Sequence, residues 1–151
     1  MDYLQEHKNE VETIVFTRAE RIYVDALLKI IDPKKKVFDE VLTQNACYRL
    51  VKDDDDIDHF IKDISRFKNR NMARSVLADP DTLNFAMTPE NGLPIMPYKG
   101  ENFIDDGKKD EYLLTVMDEI EELRQMPDVR TYLDEQYGHR QLLKNAKLIW
   151  V

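Results

Sequence analysis

The sequence predicts an α/β chain in which a parallel sheet carries helices on its faces. Three observations predict it. Two apolar runs, VETIVFT at 11–17 and RSVLAD at 74–79, read as buried strands, a helical repeat follows the first, and the last third of the chain is patterned as helix. Strands that alternate with helices are joined by crossovers, and crossovers favour parallel pairing.

Residues 2–9 read as the end of a short helix, followed by the β-branched strand VETIVFT. From Arg18 onward, Ala19, Ile22, Tyr23, Ala26, Leu27 and Ile30 recur at helical spacing, and the Asp-Pro pair at 32–33 stops that helix because proline cannot continue it. KVFDEVL and NACYRLV, with their short alternation, read as a hairpin, and HFIKDI as a further extended or turn segment. RSVLAD is the second candidate buried strand, and ENGLPIMPY, with a glycine and two prolines around a short apolar core, suits an edge strand. Leu113, Val116, Met117, Ile120 and Leu123 form one apolar helical stripe, and Pro127 opens a further helix with Val129, Tyr132 and Leu133 that runs to Gly138.

Composition bounds the function. A chain of 151 residues suits a compact domain able to bury most of its apolar surface without staples. Thirty acidic against 22 basic residues leave a formal charge of −8, which repels phosphate backbones and argues against nucleic acid as a main partner. The single cysteine, Cys47, allows no internal disulfide and reads as a small buried hydrophobe. No apolar run approaches the roughly 20 residues of a membrane span. MDYLQEHKNE lacks the apolar core of a signal peptide and the Arg/Ser-rich character of a transit peptide. His7, His59 and His139 show no metal-ligand spacing.

Ligands of open α/β sheets collect at the carboxyl ends of strands, so Thr17 and Asp79, each ending a buried strand, are the first site candidates. The resemblance of the chain sharpens them. VFT followed by a helix and DP, then FIKDISRF, then LADPDTLNFAMTPENGLPIMPYKGE, resemble the phosphatase domain of the NIF family within the haloacid dehalogenase superfamily. That family includes phosphatases acting on the RNA polymerase II C-terminal domain and the Tim-fifty-type receptor of mitochondrial inner-membrane import. The resemblance runs from about Tyr3 to Tyr137, and MPDVRTYLDEQY is more similar to the mitochondrial branch.

This resemblance implies a haloacid-dehalogenase-like, Rossmann-like three-layer sandwich with a small β-hairpin insertion and C-terminal helices. Residues 1–138 would form the domain and 139–151 a tail, ending in KLIWV with Trp150, that docks on this chain or a partner. A phosphomonoester carries two negative charges, so an aspartate nucleophile can approach only where Mg²⁺ and hydrogen-bonding groups neutralise the phosphoryl oxygens. In the family, the nucleophile and a general acid two residues later form a DxDx(T/V) motif at the end of the first, central strand. The resemblance assigns Thr17 to the phosphate-binding hydroxyl, Lys62 to the phosphate-binding lysine and Asp79 to the later metal-ligating aspartate.

Two departures stand out. The residue after the metal aspartate is commonly Asn or Asp in active members, whereas here it is Pro80, which offers neither a side-chain ligand nor an N–H. No DxDx(T/V) lies between Met1 and Thr17, so the expected fold is truncated and lacks the first central strand. Without the resemblance, Thr17 reads as a capping residue, Lys62 as a surface lysine and Asp79 as a turn-forming carboxylate. The acidic run KDDDDID ahead of Lys62 reads as a solvated turn with no element to converge it on a metal. RFKNRNMAR at 66–74 reads as a solvated loop, with contact to an acidic partner or lipid headgroups as the alternative.

Two functions follow from the resemblance. The first is a catalytically inactive phosphatase-like subunit, without cofactor, binding other protein subunits that could donate a strand to its sheet. Its place would be the mitochondrial inner membrane, in import machinery or as a respiratory-chain accessory subunit. The second is an Mg²⁺-dependent protein serine/threonine phosphatase completed by an N-terminal segment outside this chain, with nuclear or cytoplasmic placement if the polymerase-directed branch is the nearer kin.

Overall fold

The computed structural model describes residues 2–50, 59–97 and 112–146. The acidic run KDDDDID and the terminal KLIWV lie outside the described residues. The chain forms two compact units, Met1–Lys62 and Asp63–Val151. Residues 139–145 form a helix that buries His139 and Leu143.

The first unit is built on a β-α-β crossover. Helix α1 (Asp2–Glu6) leads to strand β1 (Ile14–Phe16), helix α2 (Arg21–Ile31) and strand β2 (Glu40–Leu42). β1 and β2 pair in parallel, with Ile14 opposite Glu40 and Phe16 opposite Leu42. The return from α2 is set by one side chain. Asp32 caps the end of the helix and accepts from the backbone N–H groups of Lys36 at 2.9 Å, Val37 at 3.0 Å and Phe38 at 3.3 Å. Burial works to raise the Asp32 pKa, and these three donors, with Lys8, outweigh it and hold the carboxylate below its ordinary value. Lys8 fastens α1 to the same turn, donating to the Val37 carbonyl at 2.9 Å and pairing with Asp39 at 2.7 Å.

KVFDEVL and NACYRLV do not form the expected hairpin. The Asp32 turn lays Glu40–Leu42 alongside β1, and a 3₁₀ turn at Gln44–Ala46 then redirects the chain. Strand β3 (Tyr48–Leu50) instead pairs antiparallel with β4 (His59–Ile61), with Tyr48 opposite Ile61, so the hairpin spans the acidic run.

Helix α2 departs from expectation in a second way. Of its residues only Val24 is buried, while Ile22 is 80% and Ile30 79% exposed, with Tyr23, Leu27 and Ile31 exposed as well. The stripe that periodicity marks for a core therefore faces outward. Two three-residue strands cannot cover a helix face three turns long.

The second unit carries the larger core. Strand β5 (Leu77–Asp79) pairs in parallel with β6 (Gly92–Pro94), Leu77 opposite Gly92 and Asp79 opposite Pro94. Only the end of RSVLAD is strand, because Asn71 accepts from the Ala73 N–H and caps a 3₁₀ turn at Met72–Arg74. The crossover from β5 to β6 runs through 3₁₀ turns at Thr82–Phe85 and Pro89–Asn91. Helices α3 (Tyr112–Gln125), α4 (Val129–Tyr137) and α5 (His139–Asn145) follow. Leu93, Val116, Leu123, Val129 and Leu133 form one buried cluster, with Ile120 and Tyr132 packed against it. The predicted α3 stripe is thus partly used, since Leu113 at its start is 66% exposed. Pro127 sits one residue ahead of the true N-cap, Asp128, whose carboxylate accepts from the Arg130 N–H.

Candidate functional site

Each of the three sequence-assigned residues ends or follows a strand, and each is held by local chemistry. Thr17 directly follows β1, where its backbone N–H donates to the Leu42 carbonyl at 2.9 Å and continues the parallel ladder. Its Oγ1 accepts from the Ala19 N–H at 3.1 Å, a short turn that starts the chain toward α2. The Cys47 thiol lies 3.7 Å from the Thr17 carbonyl, so Cys47 braces the end of β1 from the segment after β2. Thr17 is half-buried.

Lys62 directly follows β4 and is half-buried between two buried neighbours, Ile61 and Asp63. Asp63 caps the next turn, accepting at Oδ1 from the Ser65 N–H at 3.0 Å and the Ser65 hydroxyl at 2.5 Å. The sequence FIKD thus delivers a lysine at the point where a strand is ended by a capping aspartate. Thr17 and Lys62 belong to the first unit and Asp79 to the second.

Asp79 is the last residue of β5 and is 2% exposed. Its Oδ1 accepts from the Asp81 N–H at 2.8 Å and from Asn84 Nδ2 at 2.9 Å. Pro80 stands between Asp79 and Asp81, so the first donor available to the carboxylate is two residues on. Asp81 repeats the device, accepting from the Leu83 N–H at 3.0 Å to cap the following turn. Asn91 closes the other end of the crossover, donating from Nδ2 to the carbonyls of Met72 and Ser75, each at 2.7 Å. Asn84 and Asn91 are each 1% exposed. Sequence reasoning missed both asparagines. The spacing of Asp79, Asp81 and Asn84 is the available signal, since short polar side chains two or three residues apart after a strand form nested turns.

Among the described residues, no three His, Cys, Asp or Glu side chains gather closely enough to hold a metal ion. His139 is the one described histidine that is buried, at 3% exposed, between the rings of Phe85 at 4.6 Å and Tyr137 at 5.7 Å. Burial lowers its pKa, against opposing contributions from the Gly92 backbone and the Asp134 charge. The described helices include none long and apolar enough to cross a membrane.

Residues 1–130 match the family described as NLI interacting factor-like phosphatase. The chain is 28% identical over 146 residues to CTD small phosphatase-like protein 2 of Dictyostelium discoideum, covering 96% of this chain and 23% of that protein. It is 30% identical over 126 residues to the mitochondrial import inner membrane translocase subunit TIM50 of Candida albicans, covering 82% of this chain and 24% of that protein. The chain therefore spans about a quarter of the length of these relatives. Among solved structures, fission yeast RNA polymerase II CTD phosphatase Fcp1 bound to beryllium fluoride aligns over 97% of this chain and 37% of its own. The TM-score is 0.50 at 20% identity, a likeness in fold, and the fold is haloacid-dehalogenase-like.

Proposed function

We propose, from the premise that this chain belongs to the NLI interacting factor-like phosphatase family, that it works as a phosphatase-like domain without turnover of its own, binding protein subunits of a larger complex. The observation that carries this reading is the state of Asp79. A magnesium-ligating aspartate must turn its oxygens toward the ion and share it with several other oxygen ligands in octahedral order. Here Asp79 Oδ1 accepts from Asp81 and Asn84 while almost fully buried, and its neighbour Pro80 brings no ligand. Asp79 thus stands among the described residues without the further oxygen ligands that Mg²⁺ requires. Asp79 instead ends β5 and organises the crossover that follows.

The remaining residues keep structural work on this reading. Thr17 Oγ1 is engaged in a turn that launches α2, and Lys62 stands where the hairpin ends. Among the described residues β1 pairs with β2 and β5 with β6, in separate two-stranded sheets. An unpaired strand edge costs backbone hydrogen bonds when it is buried, so a strand from a partner segment would add to either pair. Relatives named as TIM50 in three yeasts support placement in a complex at the mitochondrial inner membrane.

A second reading has its own support, since other relatives are named CTD small phosphatases. In it, a segment outside these 151 residues supplies the nucleophile, Thr17 and Lys62 hold the phosphate, and the protein is nuclear or cytoplasmic. Hydrolysis of p-nitrophenyl phosphate with Mg²⁺ separates the two readings. Absence of turnover from the purified chain and from its native complex supports the first. Turnover lost in Lys62→Ala establishes the second.

A further inference from the structure

We propose that the outward face of α2 is a docking surface for an acidic amphipathic helix on a partner protein. The inference deepens the partner-binding reading above and rests on it. At 3.6 residues per turn, Ile22, Tyr23, Ala26, Leu27 and Ile30 fall within an arc roughly 140° wide, on the side of the helix away from Val24. All five are exposed. Scattered exposed apolar residues need no explanation, but a contiguous face of five on one regular element marks an interaction site.

The shape of the face suits a helix. Ile22, Ala26 and Ile30 form one ridge at four-residue spacing, and Tyr23, Leu27 and Ile31 form a second beside it. Such ridges and the groove between them are what a second helix packs into, and the small Ala26 at the centre of the first lets backbones approach.

Charge specifies the occupant. Residues 18–36 hold six basic side chains, Arg18, Arg21, Lys29, Lys34, Lys35 and Lys36, against Glu20, Asp25 and Asp32, in a chain whose formal charge is −8. Asp25 is paired with Arg21 at 2.8 Å and Asp32 is consumed by its turn, so exposed lysines dominate the rim at Lys29 and Lys34–Lys36. A helix with acidic flanks meets that rim favourably. A second copy of this chain would bring a second face whose rim is also net basic. An anionic bilayer would attract the rim but repel the strongly acidic remainder.

The test uses the purified chain and a synthetic peptide designed as a Leu/Glu amphipathic helix, read by fluorescence anisotropy. Saturable binding is expected, weakened about tenfold or more by Ile22→Glu together with Ile30→Glu, as for exposed anchors of a helix groove. Binding should also fall as NaCl rises from about 50 mM to about 500 mM, and fail for the same peptide with Lys in place of Glu. Both isoleucines are already exposed, so the variant should keep its helical circular dichroism. Lys29→Glu with Lys34→Glu is an independent second variant that should weaken binding without touching the apolar face. No peptide binding, or binding indifferent to both variants, overturns the proposal. So does binding to phosphatidylcholine–phosphatidylserine vesicles in place of the peptide, or a self-associated dimer dissolved by the isoleucine variant. Phosphatase turnover would remove the partner-binding reading and leave the peptide result standing, so the two failures are distinguishable.

Discussion

Asn84 Nδ2 donates to Asp79 Oδ1 at 2.9 Å, joining two side chains that are 1% and 2% exposed. A buried carboxylate is tolerated where hydrogen bonds replace the water it has lost. Asn84→Leu should therefore destabilise the second unit by about 1.5 to 3 kcal/mol, the usual worth of a hydrogen bond to a charged group. Urea unfolding at neutral pH measures it. Asn84→Asp should be worse at pH 7, because it sets a second carboxylate against Asp79 where Asn84 donated a hydrogen bond.

Two glycines should respond to the same substitution for different reasons. A Cβ at Gly92 would stand 2.5 Å from Phe85 Cγ, and Phe85 is fully buried, so Gly92→Ala should cost about 1 to 3 kcal/mol through overpacking. Shrinking the ring with Phe85→Leu in the Gly92→Ala background should recover part of that loss in a double-mutant cycle. Gly138 has φ +58° and open space around it, so Gly138→Ala should cost about 1 kcal/mol from backbone strain alone, with no rescue by a neighbour.

His139 should make stability depend on pH. Its folded pKa is lowered from 6.5 by burial, so the unfolded chain takes up a proton more readily than the folded one. Stability should be full above about 6.5 and decline as pH falls from there through the lowered folded value. Replacing His139 with Phe, between the rings of Phe85 and Tyr137, should flatten that part of the profile in thermal melts taken from neutral to mildly acidic pH.

Asp128 titrates at the other end of the scale. The side-chain bonds from Arg130, then its backbone N–H, lower the Asp128 pKa from 3.8 to about 2. Its contribution should be present above about 3.8 and be lost only as pH falls toward 2. Asp128→Asn keeps an acceptor for the Arg130 N–H but loses the charge pair, so it should destabilise less than Asp128→Ala and remove this acid-dependent step. Urea midpoints across the acidic range test it.

The parts of the fold that rest on local chemistry were legible in the sequence. VETIVFT marked β1, the last three residues of RSVLAD marked β5, and Asp-Pro at 32–33 marked the end of α2. Pairing was harder to read, because it depends on where turns send the chain. Nothing in KVFDEVL shows that Asp32 will collect three backbone donors and lay β2 beside β1. Periodicity also marked the apolar stripe of α2 correctly while misplacing it, since spacing identifies a face and says nothing of what covers it. At the candidate site, family motifs picked out Thr17, Lys62 and Asp79, and Pro80 signalled the departure. Asn84 carries a weaker signal, since the Asp79, Asp81 and Asn84 spacing marks nested turns without showing that the crossover folds Asn84 back onto Asp79.

The proposed role is partner binding without turnover of phosphomonoesters. Mg²⁺-dependent hydrolysis of p-nitrophenyl phosphate, by the purified chain and by its native complex, tests it most directly, beside Thr17→Val, Lys62→Ala and Asp79→Asn. All four proteins should release phosphate no faster than a protein-free control, with Asp79→Asn differing only in stability. Magnesium-dependent turnover by the unmodified chain that disappears in Lys62→Ala would contradict the account.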